Sequence, residues 1–231
     1  MEYANDLKSL KKSLAAGELE FFNKYEPSIK TLLINLRKKG AIKTNFDSSV
    51  VETLKEIRRM TNVSAFLFQN VLSFMNLEES EGKKFLEYLK NKGFEIQDVA
   101  DQMLLIICNN YHTTIEDLKI HLELCFDFDL ICDRLEQKIP RFKNFSWLVR
   151  TLKDFNGESN EFLDYLNSGT RNSIVHRTYY YKNGLIYLYD GIFDDNPHTM
   201  VLSDFMIESK NFNILSLGFF HIFIELFKKP I

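Results

Sequence analysis

The repeat pattern of the sequence changes within residues 170–190, which read TRNSIVHRTYYYKNGLIYLYD. The runs Thr178–Tyr181 and Leu185–Asp190 are rich in the tyrosine and branched residues that strands favour. Asn183-Gly184 separates the two runs, and this dipeptide accepts the positive φ angles of a two-residue turn. We therefore predict one small β-hairpin over about 178–190, in which three successive tyrosines alternate across a strand and one or two of them cover the bundle.

Helical patterns surround this hairpin on both sides, so we predict a mainly α protein, a helical bundle with the hairpin before a C-terminal helix. Pro27 suits a helix start, Thr114 suits an N-cap, and Gly40 and Gly93 suit helix ends. The predicted helices cover residues 7–39 (restarting at Pro27), 48–60, 64–75, 83–92, 96–108, 114–126, 130–139, 145–155, 160–166 and 203–228.

The chain of 231 residues is long enough for one large domain or two small ones. Gly93 is the best candidate for a boundary, which gives an all-helical subdomain over 1–95 and a helical domain over 96–231, or else one continuous domain. The formal net charge of −3 disfavours extensive wrapping of nucleic acid, because such binders are usually basic.

The compartment predicted from the sequence is the cytoplasm. Cys108, Cys125 and Cys132 form no Cys-x-x-Cys pair, and their odd number suits reduced thiols. The first residues lack the basic start and apolar run of a signal peptide. The most apolar stretch, Phe212–Phe227, contains a histidine and a glutamate and is too short for a comfortable span, so no membrane partner is expected.

Arg171, Asn172 and His176 are the candidate catalytic residues. Asn172 and His176 are four residues apart and share a face of a helix, and the long side chain of Arg171 reaches the same edge. Arginine binds phosphate through two parallel hydrogen bonds, and histidine exchanges protons near neutral pH. This set suits RNA cleavage without a metal or other cofactor. The alternative is structural, with His176 and Arg177 neutralising the end of a helix dipole.

The pattern Arg171-Asn172-Ser173-Ile174-Val175-His176, after several helices and before a tyrosine-rich hairpin, resembles the signature of the HEPN family, the higher-eukaryote and prokaryote nucleotide-binding domain. The resemblance implies a helical bundle that dimerises with its two motifs facing each other. It also implies a metal-independent endoribonuclease that leaves a 2′,3′-cyclic phosphate, with Arg171 and His176 catalytic and Asn172 supporting them. One subgroup carries a modified tyrosine two residues after the histidine. Thr178 stands there in this chain, so that regulation is not carried over.

Two functions follow as expectations. The first is a homodimeric endoribonuclease that acts as a toxin or phage-defence effector, with RNA as substrate and an antitoxin or defence protein as partner. The second is a non-catalytic helical module that binds a nucleotide or a protein through the same polar rim. A purely structural helical protein is the third possibility.

A basic segment over residues 134–153 precedes the motif and holds six lysines and arginines against one acid. Arg141, Lys143 and Arg150, with Arg177 of the motif, are the candidate RNA contacts, and interleaved aromatics either stack unpaired bases or fill the core.

A zinc site formed by Cys108, His112, His121 and Cys125 has helical i, i+4 spacing, but core cysteines explain it better, so no metal is expected. Glu116 and Lys119 are expected to form a charge pair on a solvated face, rather than part of an acid-x-Lys nuclease motif.

Overall fold

The computed structural model describes residues 6–43, 56, 84, 87, 88, 90–93, 96–166, 179–183, 185–189 and 197–227. Within these residues the fold is mainly helical, with a small antiparallel sheet before the C-terminal helix, which confirms the predicted fold class. The helices are α1 Leu7–Ser13, α2 Ala16–Lys38, α3 Ile96–Cys125, α4 Phe128–Arg134, α5 Phe145–Asn156, α6 Glu161–Leu166 and α7 Leu202–Phe227; the strands are β1 Tyr179–Lys182, β2 Leu185–Leu188 and β3 His198–Val201.

These elements belong to two compact units that alternate along the chain. The first unit holds α1, α2, residues 114–125 of α3, α4 to α6, and residues 211–227 of α7. The second holds residues 96–113 of α3, the three strands, and residues 202–210 of α7. The predicted boundary at residue 95 lies outside the described residues and stays a prediction.

Helix α2 is the centre of the first unit, and it corrects one prediction. Pro27 does not begin a helix, because α2 continues through it. An internal proline removes one backbone hydrogen bond and costs about 3 kcal/mol. Burial outweighs this cost, since each fully buried leucine or isoleucine contributes roughly 1.5–3 kcal/mol. The buried apolar residues of α2 are Phe22, Tyr25, Ile29, Leu32, Leu33 and Leu36.

Helix α3 corrects a second prediction. Thr114 caps no helix, because α3 runs unbroken from Ile96 to Cys125 and buries the threonine completely. The apolar stripe that precedes Thr114 continues after it, so packing outweighs the local capping preference of threonine. The buried apolar residues of this stripe are Leu104, Ile107, Cys108, Tyr111, Ile115, Leu118, Leu122 and Cys125.

The glycine signals and the turn signal match the structure where it describes them. Gly40 and Gly93 have positive φ angles of 70° and 87° and end their helices, as predicted. Asn183, the first residue of the predicted turn, also has a positive φ angle of 53°. Strand β3 was not predicted, because its residues His198–Val201 are few and lack an alternating pattern.

A close approach of α2 and α7 fixes the packing of the first unit. Gly218 of α7 lies against the ring of Phe22, and a Cβ atom at this glycine would overlap the ring carbons Cε2 and Cζ. Both the ring and the stretch of α7 around Gly218 are buried, since Phe22, Leu215 and Phe219 have no exposed surface. Glycine therefore sets the distance between the two helices. Within the described residues, no helix combines the length and apolar character of a membrane span.

Candidate functional site

The predicted catalytic residues Arg171, Asn172 and His176, and the predicted contact Arg177, lie outside the described residues. The description ends at Leu166, the last residue of α6, and resumes at Tyr179, the first residue of β1. Their roles stay predictions. The structure does describe the helix that precedes the motif, the strands that follow it, and the basic segment.

Helix α6, which leads into the motif, is anchored on the middle of α2. The Asn160 side chain accepts a hydrogen bond from the Leu163 amide at 3.1 Å and donates to the Ser28 carbonyl at 2.9 Å. The hydroxyl of Ser28 accepts from the Phe162 amide at 3.2 Å. These bonds satisfy N–H groups that a helix start leaves without partners. The start of α6 is thus held to α2 by specific polar contacts in addition to apolar ones.

The basic segment over residues 134–153 divides into structural and solvent-facing cations. Arg134 donates to the Lys39 carbonyl at 2.6 Å, and Lys153 pairs with Asp164 at 2.5 Å. Arg141 and Arg150 are exposed and Lys143 is half-buried, and none of these three forms an ion pair with a described residue. Three of the four predicted RNA contacts are therefore available to solvent.

The aromatic residues of this segment also divide, some lying in the core and one in solvent. Phe145 is buried beside Phe212, with ring centroids 6.3 Å apart. Trp147 packs on Phe128 at 5.6 Å. Phe142, in contrast, is 78% exposed, and the guanidinium carbon of Arg141 lies 5.4 Å from its ring centroid. An exposed ring with a cation beside it suits stacking on a base.

The loop that carries Phe142 is fixed at both ends. After α4, Glu136 adopts a positive φ of 53°, and the Gln137 amide donates to the Cys132 carbonyl at 2.9 Å. Before α5, the Asn144 side chain accepts from the Trp147 amide at 2.8 Å and caps the helix. The exposed ring therefore stands on a short segment between two anchored helix ends.

The zinc alternative gains no support from the described side chains. Cys108 and Cys125 are buried, and burial raises the pKa of Cys108 to about 12 and that of Cys125 further still. His112 is exposed, whereas His121 is buried. Among the described residues no three histidine, cysteine, aspartate or glutamate side chains form a group that could hold a metal ion. Both thiols are core residues that stay protonated at neutral pH.

No protein-family model, curated protein or solved structure matches the chain. The likeness to HEPN proteins therefore rests on the residues of the motif and on the helical architecture around it.

The burial of two titratable groups, His121 and Asp117, was not predicted from the sequence. His121 is 4% exposed, and neither ring nitrogen has a hydrogen-bond partner among the described residues. Burial of the ring lowers the pKa of His121 to about 4. Asp117, one turn earlier on α3, has its pKa raised to about 7 by burial and by the charge of Glu116. The sequence does contain a signal for the burial of His121, because this residue lies between Leu118 and Leu122 of the apolar stripe.

The neighbouring charge pair is as predicted, since Lys119 lies 3.5 Å from Glu116. Neither carboxylate belongs to a described nuclease site, because Asp117 is buried within a helix and Glu116 is engaged by Lys119. The described residues thus offer an exposed basic and aromatic loop as a binding surface, and they place no catalytic pair within it.

Proposed function

We propose that this protein is a metal-independent endoribonuclease of HEPN type that acts as a homodimer. One observation carries the proposal, the sequence Arg171-Asn172-x-x-x-His176 between a run of helices and a tyrosine-rich sheet. The mainly helical architecture supports it, because the resemblance implies a helical bundle. A toxin or a phage-defence effector is the corresponding biological role.

The chemistry follows from the residue types. The ribose 2′-oxygen attacks the adjacent phosphorus and loses its proton to a base, while the bond from phosphorus to the 5′-oxygen breaks and that oxygen gains a proton. His176 serves as base or acid, Arg171 binds the phosphate oxygens, and Asn172 orients the pair. One histidine does not easily act as both base and acid in one step. A dimer with facing motifs supplies the second histidine and a second arginine.

The test is cleavage of a labelled RNA in EDTA by the parent protein and by Arg171→Ala and His176→Ala variants. We expect His176→Ala to lose activity by roughly 10²–10⁴-fold, the usual contribution of a general acid or base. We expect Arg171→Ala to lose roughly 10²–10³-fold, the usual effect of removing one group that stabilises charge in the transition state. The matched control is His112→Ala, which removes an exposed histidine outside the motif and is expected to cleave like the parent. Products of the parent should end in a 2′,3′-cyclic phosphate.

Three results would contradict the proposal. They are full activity of His176→Ala, loss of the parent's activity in EDTA, and a monomeric active protein in sedimentation. Absence of cleavage together with saturable nucleotide or protein binding that Arg171→Ala abolishes would favour the non-catalytic module.

The exposed loop yields a separate prediction about RNA affinity. Arg141, Lys143 and Arg150 contact phosphates in the proposed complex, and Phe142 stacks on a base. We expect Phe142→Ala to weaken RNA binding by about 5-fold or more, since stacking on an aromatic ring contributes roughly 1–3 kcal/mol per base. Its stability should stay within about 0.5 kcal/mol of the parent, because the ring is in solvent. Equal affinity of Phe142→Ala and parent, measured by fluorescence anisotropy, would remove this loop from the interface.

A further inference from the structure

The three-stranded sheet has one buried face and one open face. In the register of the strands, Tyr180, Tyr187 and Thr199 lie opposite one another, as do Lys182, Leu185 and Val201. Opposite residues point to the same side, so these six form one face. Residues of the other face include Ile186 and Leu188, which are buried. Tyr180 and Val201 are 43% and 41% exposed, so the first face is open to solvent.

Three tyrosine rings form a stack on the open face. The rings of Tyr180 and Tyr187 are nearly parallel, with centroids 4.6 Å apart and planes at 6°. Tyr189 extends the group, with its centroid 6.0 Å from that of Tyr180 and its plane at 29°. An exposed ring that is already held parallel to a neighbour loses little further freedom when a flat ligand stacks on it.

The charge on this face favours an anionic ligand. Lys182 is exposed and lies two residues from Tyr180 on the same side of β1, about 7 Å along the strand. None of the described residues in 179–189 and 197–201 is an aspartate or a glutamate. A flat aromatic surface with one adjacent cation suits a nucleobase and its phosphate, as in other sheet-based RNA binders.

The size of the face argues against a protein occupant. Three strands of four residues each give a surface of roughly 14 Å by 14 Å, on the order of 200 Å². A stable protein interface buries about 800 Å² on each partner. The open face is too small for a second copy of the chain alone, whereas the aromatic sheets of other RNA binders hold two or three stacked bases.

We propose that the open face of the sheet binds unpaired bases of RNA, with Tyr180, the most exposed of the three rings, as the stacking ring and Lys182 at a phosphate. This inference rests on the proposed function for the identity of the nucleic acid, and it makes the substrate single-stranded. Bases within a duplex already stack on each other and are not accessible to the tyrosine rings. Tyr180 follows the proposed catalytic residue His176 by only four residues in the sequence.

Binding of a labelled 2′-O-methyl oligoribonucleotide tests the inference, because this probe keeps its bases but lacks the nucleophilic hydroxyl and is not cleaved. Fluorescence anisotropy should give tight binding of the single strand and at least about 10-fold weaker binding of the same strand in a duplex. Tyr180→Ala should bind the single strand roughly 5- to 100-fold more weakly, the range expected for one stacked base. Tyr180→Phe, which keeps the flat ring, should bind within about 2-fold of the parent.

Two further variants separate stacking from structure. Tyr180→Leu keeps apolar bulk but lacks a flat ring, so it should lose as much affinity as is expected for Tyr180→Ala. It provides the test if the alanine variant fails to fold. Tyr88→Ala removes a tyrosine that is 56% exposed elsewhere and should bind like the parent. Parent-like binding by folded Tyr180→Leu, or equal binding of single strand and duplex, would overturn the inference.

The two proposals fail in different ways. If the sheet face is not a binding surface, RNA is still cleaved in EDTA and the Tyr180 variants cleave normally. If the chain is not a nuclease, the parent leaves RNA intact but still binds the 2′-O-methyl single strand through Tyr180.

Discussion

Replacing Gly218 with alanine is expected to lower the free energy of unfolding by about 2 kcal/mol, because overpacking a filled core typically costs about 1–3 kcal/mol or more. The new Cβ would overlap ring carbons of Phe22, and that ring has no exposed surface. Alanine offsets only part of this cost, since it favours a helix over glycine by roughly 1 kcal/mol. Urea unfolding followed by circular dichroism measures the change.

Gly17→Ala is the matched control, since a Cβ atom there meets nothing within 4 Å. It should leave stability unchanged or raise it slightly. A double-mutant cycle with Phe22→Leu then tests the cause. The shorter side chain makes room for the new methyl, so the two substitutions together should cost at least about 1 kcal/mol less than their sum. Additive costs would show that the ring of Phe22 is not what Gly218 accommodates.

Local signals in the sequence predicted some ends of elements, whereas the helix predicted over 130–139 ends at Arg134 and the one predicted over 7–39 is interrupted after Ser13. Gly40, Gly93 and Asn183 adopt the positive φ angles that their residue types favour. The helices predicted over 145–155 and 160–166 begin next to Asn144 and Asn160, whose side chains accept hydrogen bonds at the helix starts. Each of these outcomes depends on residues within one turn, where a preference of about 1 kcal/mol is decisive.

Predictions failed where distant residues outweigh such preferences. Pro27 and Thr114 lie inside long helices, because apolar stripes on both sides of them pack against other elements. The contact of Gly218 with Phe22 joins helices far apart in sequence, and no local pattern contains it. Strand β3 likewise forms by pairing with β2 rather than from its own composition.

The candidate site was predictable in residue type more than in placement. The basic segment predicted solvent-facing cations, and Arg141 and Arg150 are exposed. Alternation of aromatic and basic residues did not indicate which ring is outside, because Phe142 and Phe145 have the same side chain and differ only in the anchors around them. The motif Arg171–His176 stays a prediction from its sequence.

The contribution of His121 to the free energy of unfolding is expected to fall in mild acid. Its pKa in the folded state is about 4, below the ordinary value of 6.5. Between these values the unfolded chain takes up a proton and the folded chain does not, so stability present above pH 6.5 is lost as the pH falls toward 4. The shift corresponds to roughly 3 kcal/mol, at about 1.4 kcal/mol for each pKa unit.

Asp117 acts in the opposite direction over the same range. Its pKa is raised from 3.8 to about 7, so the folded chain keeps a proton that the unfolded chain releases. Its contribution is complete below pH 3.8 and is lost as the pH rises through 7. The pH profile of the parent protein is the sum of two opposed effects, and only single variants separate them.

His121→Leu removes the first effect. The unfolding free energy of this variant minus that of the parent should become more positive by roughly 3 kcal/mol when the pH is lowered from 7.5 to 4. Asp117→Asn should shift in its own favour as the pH rises over the same range. His112→Leu is the control, because that imidazole is exposed and stays in water in the folded state. A His121→Leu difference that is constant from pH 7.5 to 4 would mean that the buried ring is protonated as readily as an exposed one. The fold would then not require the His121 ring, whose centroid lies 5.2 Å from that of Phe220, to be neutral.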